Sequence, residues 1–212
     1  MMAEKSVADI VSDVRVCLDE IGINEAELIG GTDSSDMDDI IKSKIPDAIR
    51  YVYLNADLAL ISPSMKSGEE VSDRNGMVAI SIDNTFLRLV YAKLEDWAFS
   101  ATEAIMHTDK RYATLKNPIT TGYPDNPKAA ICEDDGGVQR TLELYSSAIK
   151  GGNVEYIYGY IDNPSMVGDK YNIDDKVYRA VVYHAAGLTL LTFKDAHADA
   201  MFNMALTLMG AK

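Results

Sequence analysis

Apolar residues recur at steps of three and four near both ends of the chain, and more often at steps of two in its middle. Val7, Ile10, Val11, Val14, Leu18 and Ile21 fall on one face of a helix, with Asp13, Asp19 and Glu20 on the wet side and Gly22 as its stop. A loop over residues 22–35 ends in GGTDSSD. Ser35 or Asp36 then caps a second helix, with Asp38 and Asp39 in its first turn, where the helix dipole favours anions. Its inner stripe is Met37, Ile41, Ile45, Ile49, Val52 and Ala56. Pro46 falls inside that stripe and is expected to kink the helix or split it, because it lacks a backbone donor and crowds the preceding turn. Residues 174–209 read as two more helices folded back on each other. Val177, Val181, His184, Leu188 and Leu191 share a face, and small Ala185, Ala186 and Gly187 leave room for a neighbouring backbone. Asp195 caps the last helix, which turns Met201, Ala205 and Leu208 inward. So apolar a pair needs cover, and the two N-terminal helices are its expected source.

The middle reads differently. Residues 64–76 are a polar loop ending in an Asn75-Gly76 turn. MVAISI and FLRLVYAKL are strands expected to form a hairpin about Asp83-Asn84-Thr85, although the second run is short enough to be helical. Residues 129–133 and 138–145 flank Asp134-Asp135-Gly136-Gly137, a stronger hairpin signal. Gly151-Gly152-Asn153 turns into VEYIYGYI, a strand with alternating tyrosines, and residues 164–170 read as linker. Residues 108–127 hold Pro118, Pro124 and Pro127 and little periodicity; loops this long are uncommon in compact domains and often make contacts. Arg111, Tyr112 and Tyr123 are its candidate interface residues, being types favoured there. A solvated surface loop is the alternative. No internal repeat is visible.

The expected fold class is therefore α+β: a helical bundle from the N-terminal and C-terminal helices (1–62 and 174–212) with an inserted antiparallel β-rich region (75–162), in one domain spanning 1–212. An apolar content of 47% suffices for a core. The net charge of −13 argues against a protein that grips DNA through its phosphates, which takes clustered Lys and Arg. No apolar run approaches the ~20 residues of a membrane span. MMAEKSVADI lacks the apolar segment of a signal peptide, so no membrane partner and a cytosolic chain are expected.

Candidate chemistry is sparse. Counting from Asp33, a calcium loop would need Gly at the sixth position and Glu at the twelfth, where Asp38 and Lys44 stand; helix capping accounts for Asp33, Asp36, Asp38 and Asp39. Cys17 and Cys132 lack CxxC spacing and read as buried thiols. His107, His184 and His197 belong to no HExxH pair and adjoin no evident nucleophile; His184 reads as a packing residue. The glycine pairs at 30, 136 and 151 read as turns rather than phosphate cradles. Trp97 and Phe99, near Tyr91, suit core packing better than a base-stacking platform, given so few basic neighbours. No catalytic, cofactor or metal site is expected, and function is expected to lie in extended contact surfaces. The alternative is a small accessory enzyme or ligand-binding protein with a site between bundle and sheet.

Four stretches carry a resemblance: VADIVSDVRVCLDEIG, DMDDIIKSKIPDAIRYVYLNA, IDNTFLRLVYAKLEDWAFSATEAI and KVYRAVVYHAAGLTLLTFKDAHADAMFNMALTLM. In this order they resemble the head–tail connector (adaptor, or head-completion) proteins of tailed bacteriophages, particularly phages and prophages of gut Bacteroidetes. In that family FLRL follows a Leu-Pro-Asp-Asp turn and is extended; here the turn is Ile82-Asp83-Asn84-Thr85, without the proline. The resemblance implies a structural virion protein at the head–tail junction, present in the host cytoplasm during assembly. It implies a homo-oligomeric ring, commonly of about twelve copies, docked beneath the portal protein. Such a ring extends the DNA channel, lets DNA pass without specific binding, and offers a platform to tail or further connector proteins.

Overall fold

The computed structural model describes residues 2–20, 34–115, 117, 120, 123–133 and 139–210. The expected helix stop at Ile21 and Gly22, the capping side chains of Ser35 and Asp36, and the Asp134-Asp135-Gly136-Gly137 turn lie outside what is described. Among the described residues are five α-helices, a short 3-10 helix and ten strands in three sheets. This overturns the expected helical bundle with an inserted antiparallel region. Strands outnumber helices two to one, sheet reaches both terminal segments, and one strand pair is parallel. By its contacts the chain divides into two compact units, Met1–Ser62 with Asn163–Lys212, and Pro63–Asp162.

In the first unit β1 (Met2–Ser6) pairs antiparallel with β10 (Lys170–Asp174), which also pairs with β9 (Met166–Val167). The segment read as linker is thus a hairpin, turned by Gly168 at φ +65°. Ser6 ends β1 and caps α1 (Val7–Glu20). Its hydroxyl accepts from Asp9 N at 3.0 Å, while the Asp9 carboxylate accepts from Ser6 N at 3.3 Å and from its hydroxyl at 2.7 Å. Those bonds from Ser6 hold the Asp9 carboxyl below the ordinary carboxylate range. α1 buries Ile10, Val11, Val14 and Leu18, and α2 (Ser34–Asn55) buries its whole expected stripe. Pro46 lies inside α2 without splitting it. Packing of the stripe outweighs the one backbone bond that proline deletes.

α4 (Asp175–Thr192) packs against α1, α2 and α5 (Ala198–Leu208). Three neighbours bury it on nearly every side, so the expected single face is too narrow a description, and Leu191 is 56% exposed. Leu208 also faces out, and Met209 takes its place inside. Beside Gly187 lies the Phe202 ring rather than a backbone; a Cβ there would come within 2.6 Å of it. The α4 start carries a buried carboxylate. Asp174 accepts from the Ser62 hydroxyl at 2.8 Å, Ser62 N at 3.2 Å and the Tyr53 hydroxyl at 3.3 Å, while its own N–H donates to Tyr53 at 2.8 Å. That carboxylate is spent on tertiary partners, so it makes no cap bond to α4.

The second unit holds two sheets. One has the order β2-β8-β4, with β2 (Ser64–Val71), β8 (Asn153–Asp162) and β4 (Phe86–Leu94) antiparallel. The expected polar loop is therefore mostly strand. β2 exposes nearly every residue and gets its conformation from eight backbone partners on β8, not from its own pattern. The other sheet runs β3-β7-β6-β5: β3 (Val78–Ile82), β7 (Arg140–Tyr145), β6 (Lys128–Glu133) and β5 (Ala104–Met106). β6 and β7 pair antiparallel as the sequence suggests. FLRLVYAKL is strand, but β3 and β4 do not pair: the turn at Asp83 sends them into different sheets. Between the sheets Val78, Ile80, Phe86, Leu94, Trp97, Leu142, Leu144 and Tyr158 form one core cluster. Tyr156, Tyr158 and Tyr160 share a face of β8, with ring centroids 5.4–6.1 Å apart and Phe86 stacked on Tyr160 at 5.3 Å.

Candidate interaction surface

β5 and β6 are parallel neighbours, and parallel strands need a crossover of a dozen or more residues. Residues 107–127 are that crossover, so topology accounts for the length of the proline-bearing segment. Its described parts are held by backbone bonds, some local and some to segments distant in sequence. His107 N donates to Ile131 O, α3 (Tyr112–Leu115) follows a turn closed by Tyr112 N to Asp109 O, and Tyr123 and Asn126 pair across Pro124 and Asp125. Ala98 N donates to Pro124 O at 3.1 Å, tying that turn to the bend between β4 and β5.

The three candidate residues take three different places here. Arg111 stands out from the turn; its guanidinium reaches Asp109 at 2.8 Å and Glu103 at 3.7 Å. The bond from Arg111 holds the Asp109 carboxyl below its usual range. Tyr112 turns inward against Leu115, Ala130 and Tyr145. Its hydroxyl donates to Glu143 at 3.0 Å and accepts from the Cys132 thiol at 3.1 Å, while Tyr145 donates to the same Glu143 oxygen. Burial pushes both phenols well above the ordinary tyrosine range, so neither is a proton acceptor near neutrality. Tyr123 is 63% exposed.

Sequence reasoning missed Phe99, which is 65% exposed, whereas Trp97 two residues earlier is core. A period-two reading that placed Trp97 inside would place Phe99 there too; the chain leaves β4 at Leu94, and alternation no longer applies. Phe99, Glu103 and Ile105 from one side, with Arg111, Asp125 and Lys128 from the other, line an open groove of about 350 Å³. Its walls mix both charges with an aromatic ring. Such a lining suits a polypeptide surface better than a phosphate, which the Glu103 and Asp125 carboxylates would repel.

The remaining candidates are structural. Asp38 takes Arg15 at 2.7 Å, joining α2 to α1, and Asp39 takes Lys42 at 2.9 Å. His184 stacks on Tyr51 at 4.1 Å, and His197 bonds Asp195 at 2.8 Å. Cys17 is buried and Cys132 part-buried, neither in a disulfide. Among the described residues no group of three or more His, Cys, Asp or Glu could hold a metal ion, and no helix is long and apolar enough to cross a membrane. Set against protein-family models and curated proteins, the chain matches none.

Proposed function

We propose that the chain is a structural virion protein, a head–tail connector that assembles as a ring beneath a portal, extends the DNA channel and gives tail components a platform. The observation that carries the reading is the crossover surface. Phe99 and Tyr123 stand 65% and 63% exposed, and Arg111 rims the groove that Phe99 helps to line. Exposed aromatic rings with an arginine are the side chains that dominate protein contacts. The four family-like stretches, in their order, support the same reading. A net charge of −13 suits a conduit, because a wall that repels phosphate does not hold passing DNA. The test mixes the purified chain with a portal protein from the same genome and images the product by electron microscopy. Added ring density beneath the portal is expected, weakened in a Phe99→Ala/Tyr123→Ala double variant. A portal that stays bare refutes the proposal.

A further inference from the structure

The groove that Phe99 helps to line has two unlike ends. β5 and β6 run parallel, so the stretches leading into them run the same way along its two walls. At one end Ala98 N donates to Pro124 O, and the next residue on each stretch is Phe99 or Asp125. At the other end the ladder opens at Ala104 and Ala129, beside Lys128 and the Glu103–Arg111 ion pair. Arg111 is already held by Asp109 at 2.8 Å. Asp125 is exposed and, among the described residues, holds no cation. An open ring and an open carboxylate thus share one end, and both cations of the groove stand at the other. The backbone along the Phe99 wall is also unfilled. Ala101 exchanges both of its backbone bonds with Ala92 of β4, at 2.7 and 2.8 Å. Successive residues of extended chain direct their N–H and C=O groups to opposite sides, so Ser100 and Thr102 direct theirs away from β4. Both line the groove, and among the described residues neither N–H has a backbone partner.

We propose that the groove takes an extended segment of a partner polypeptide, added as one more strand along Ser100–Thr102, with an arginine seated at the Phe99 and Asp125 end. Strand addition uses backbone groups of this kind, left unpaired beside a single bridge, and side chains at alternate positions supply the choice of partner. Charge selects the arginine. Its guanidinium lies over the Phe99 ring and donates to the Asp125 carboxylate, away from Lys128 and Arg111. The net charge of −13 draws a cationic segment in and turns an acidic one away. Size limits the occupant. A volume of about 350 Å³ is at the small end of ligand sites, which run from about 300 to about 1,000 Å³, and it suits a few residues rather than a folded domain. The inference rests on the crossover surface being a contact surface, as the connector reading does, and adds the chemistry of what that surface grips.

The probe is an acetylated and amidated peptide, Ser-Thr-Val-Arg-Val-Thr-Ser, titrated into the isotope-labelled full chain to about 2 mM and followed by amide chemical shifts. Saturable shifts are expected at residues 99–103 and 125–128. Phe99→Ala and Asp125→Asn each weaken binding at least about fivefold, as does glutamine in place of the peptide's arginine, and added salt weakens it too. Phe99 and Asp125 are exposed, so neither substitution endangers the fold. Peptides N-methylated at alternate positions test the strand. Methyls on the edge facing Ser100 and Thr102 abolish binding, and methyls on the other edge leave it within about twofold. No saturable shift by about 2 mM overturns the proposal. So do shifts away from the groove, binding indifferent to both substitutions, or equal effects of the two methylated peptides. A chain that forms rings beneath the portal yet ignores the peptide loses this inference alone; one that takes the peptide while the portal stays bare loses the connector reading alone.

Discussion

Asp174→Ala isolates the contribution of one buried carboxylate. Asp174 and Tyr53 are each 1% exposed, so solvent does little to screen the interaction. The substitution removes the acceptor of the Ser62 hydroxyl, Ser62 N–H and Tyr53 hydroxyl bonds; it strands the buried Tyr53 donor, while the two donors of exposed Ser62 turn to water. A hydrogen bond to a charged partner contributes about 1.5–3 kcal/mol, but these three share one charge, and relaxation or water recovers part of the loss. The expected cost is about 2–4 kcal/mol. In a chain of this length each 1 kcal/mol moves the midpoint by about 2–4 °C, so thermal unfolding followed by circular dichroism falls by roughly 10 °C. Asp174→Asn keeps the volume and one acceptor oxygen and loses about 1–2 kcal/mol. Tyr53→Phe strands Asp174 N–H and loses about 1–3 kcal/mol; combined with Asp174→Ala it costs less than the two singly, because they break one network. A midpoint drop under about 2 °C for Asp174→Ala, or strict additivity in the double variant, would show that the network contributes little.

Three further outcomes are expected. Gly187→Ala drives a methyl into the Phe202 ring and destabilises by about 1–2 kcal/mol in urea titration despite better helix propensity, whereas Gly187→Ala with Phe202→Leu recovers most of it; a stabilised single variant refutes the contact. At Gly76 (φ +84°) an added Cβ would overlap the Ser147 carbonyl oxygen, so Gly76→Ala costs about 3 kcal/mol, while Gly151→Ala (φ +69°, open space) costs about 1 kcal/mol from the backbone alone; equal losses in thermal melts contradict the clash. Burial lowers the His184 imidazole to about 4, below its ordinary 6.5, so the unfolded chain takes the proton first as pH falls. Stability from this group is complete above about pH 6.5 and drains towards pH 4, by at most about 3 kcal/mol. His184→Phe should flatten the urea midpoint over that window, and an unchanged slope counts against it.

The chain announces its structure unevenly. Residues 10, 14 and 18 of α1 and 37, 41, 45 and 49 of α2 repeat against a single buried side, so periodicity finds them. β6 and β7 are legible because residues 134–137 give turn chemistry between two apolar runs. MAEKS and SMKSGEEV are not, because those residues are strand only by virtue of the backbones beside them, β10 and β8. The Asp83 turn shows the limit of local signals: it reports that the chain bends and says nothing of which strand comes to lie alongside. At the candidate surface Arg111 and Tyr123 were legible as residue types in a long segment. The inward turn of Tyr112 depends on Glu143 and Cys132, distant in sequence, and the exposure of Phe99 on where β4 stops.

The first residue of β2, Ser64, sits opposite Tyr160 near the finish of β8, so the middle unit begins and ends at neighbouring points of one ladder. A module with such adjoining termini behaves as a cassette. Evolution or an engineer can swap it for another with the same terminal spacing, or excise it behind a tight turn, without rethreading the polypeptide that precedes and follows it.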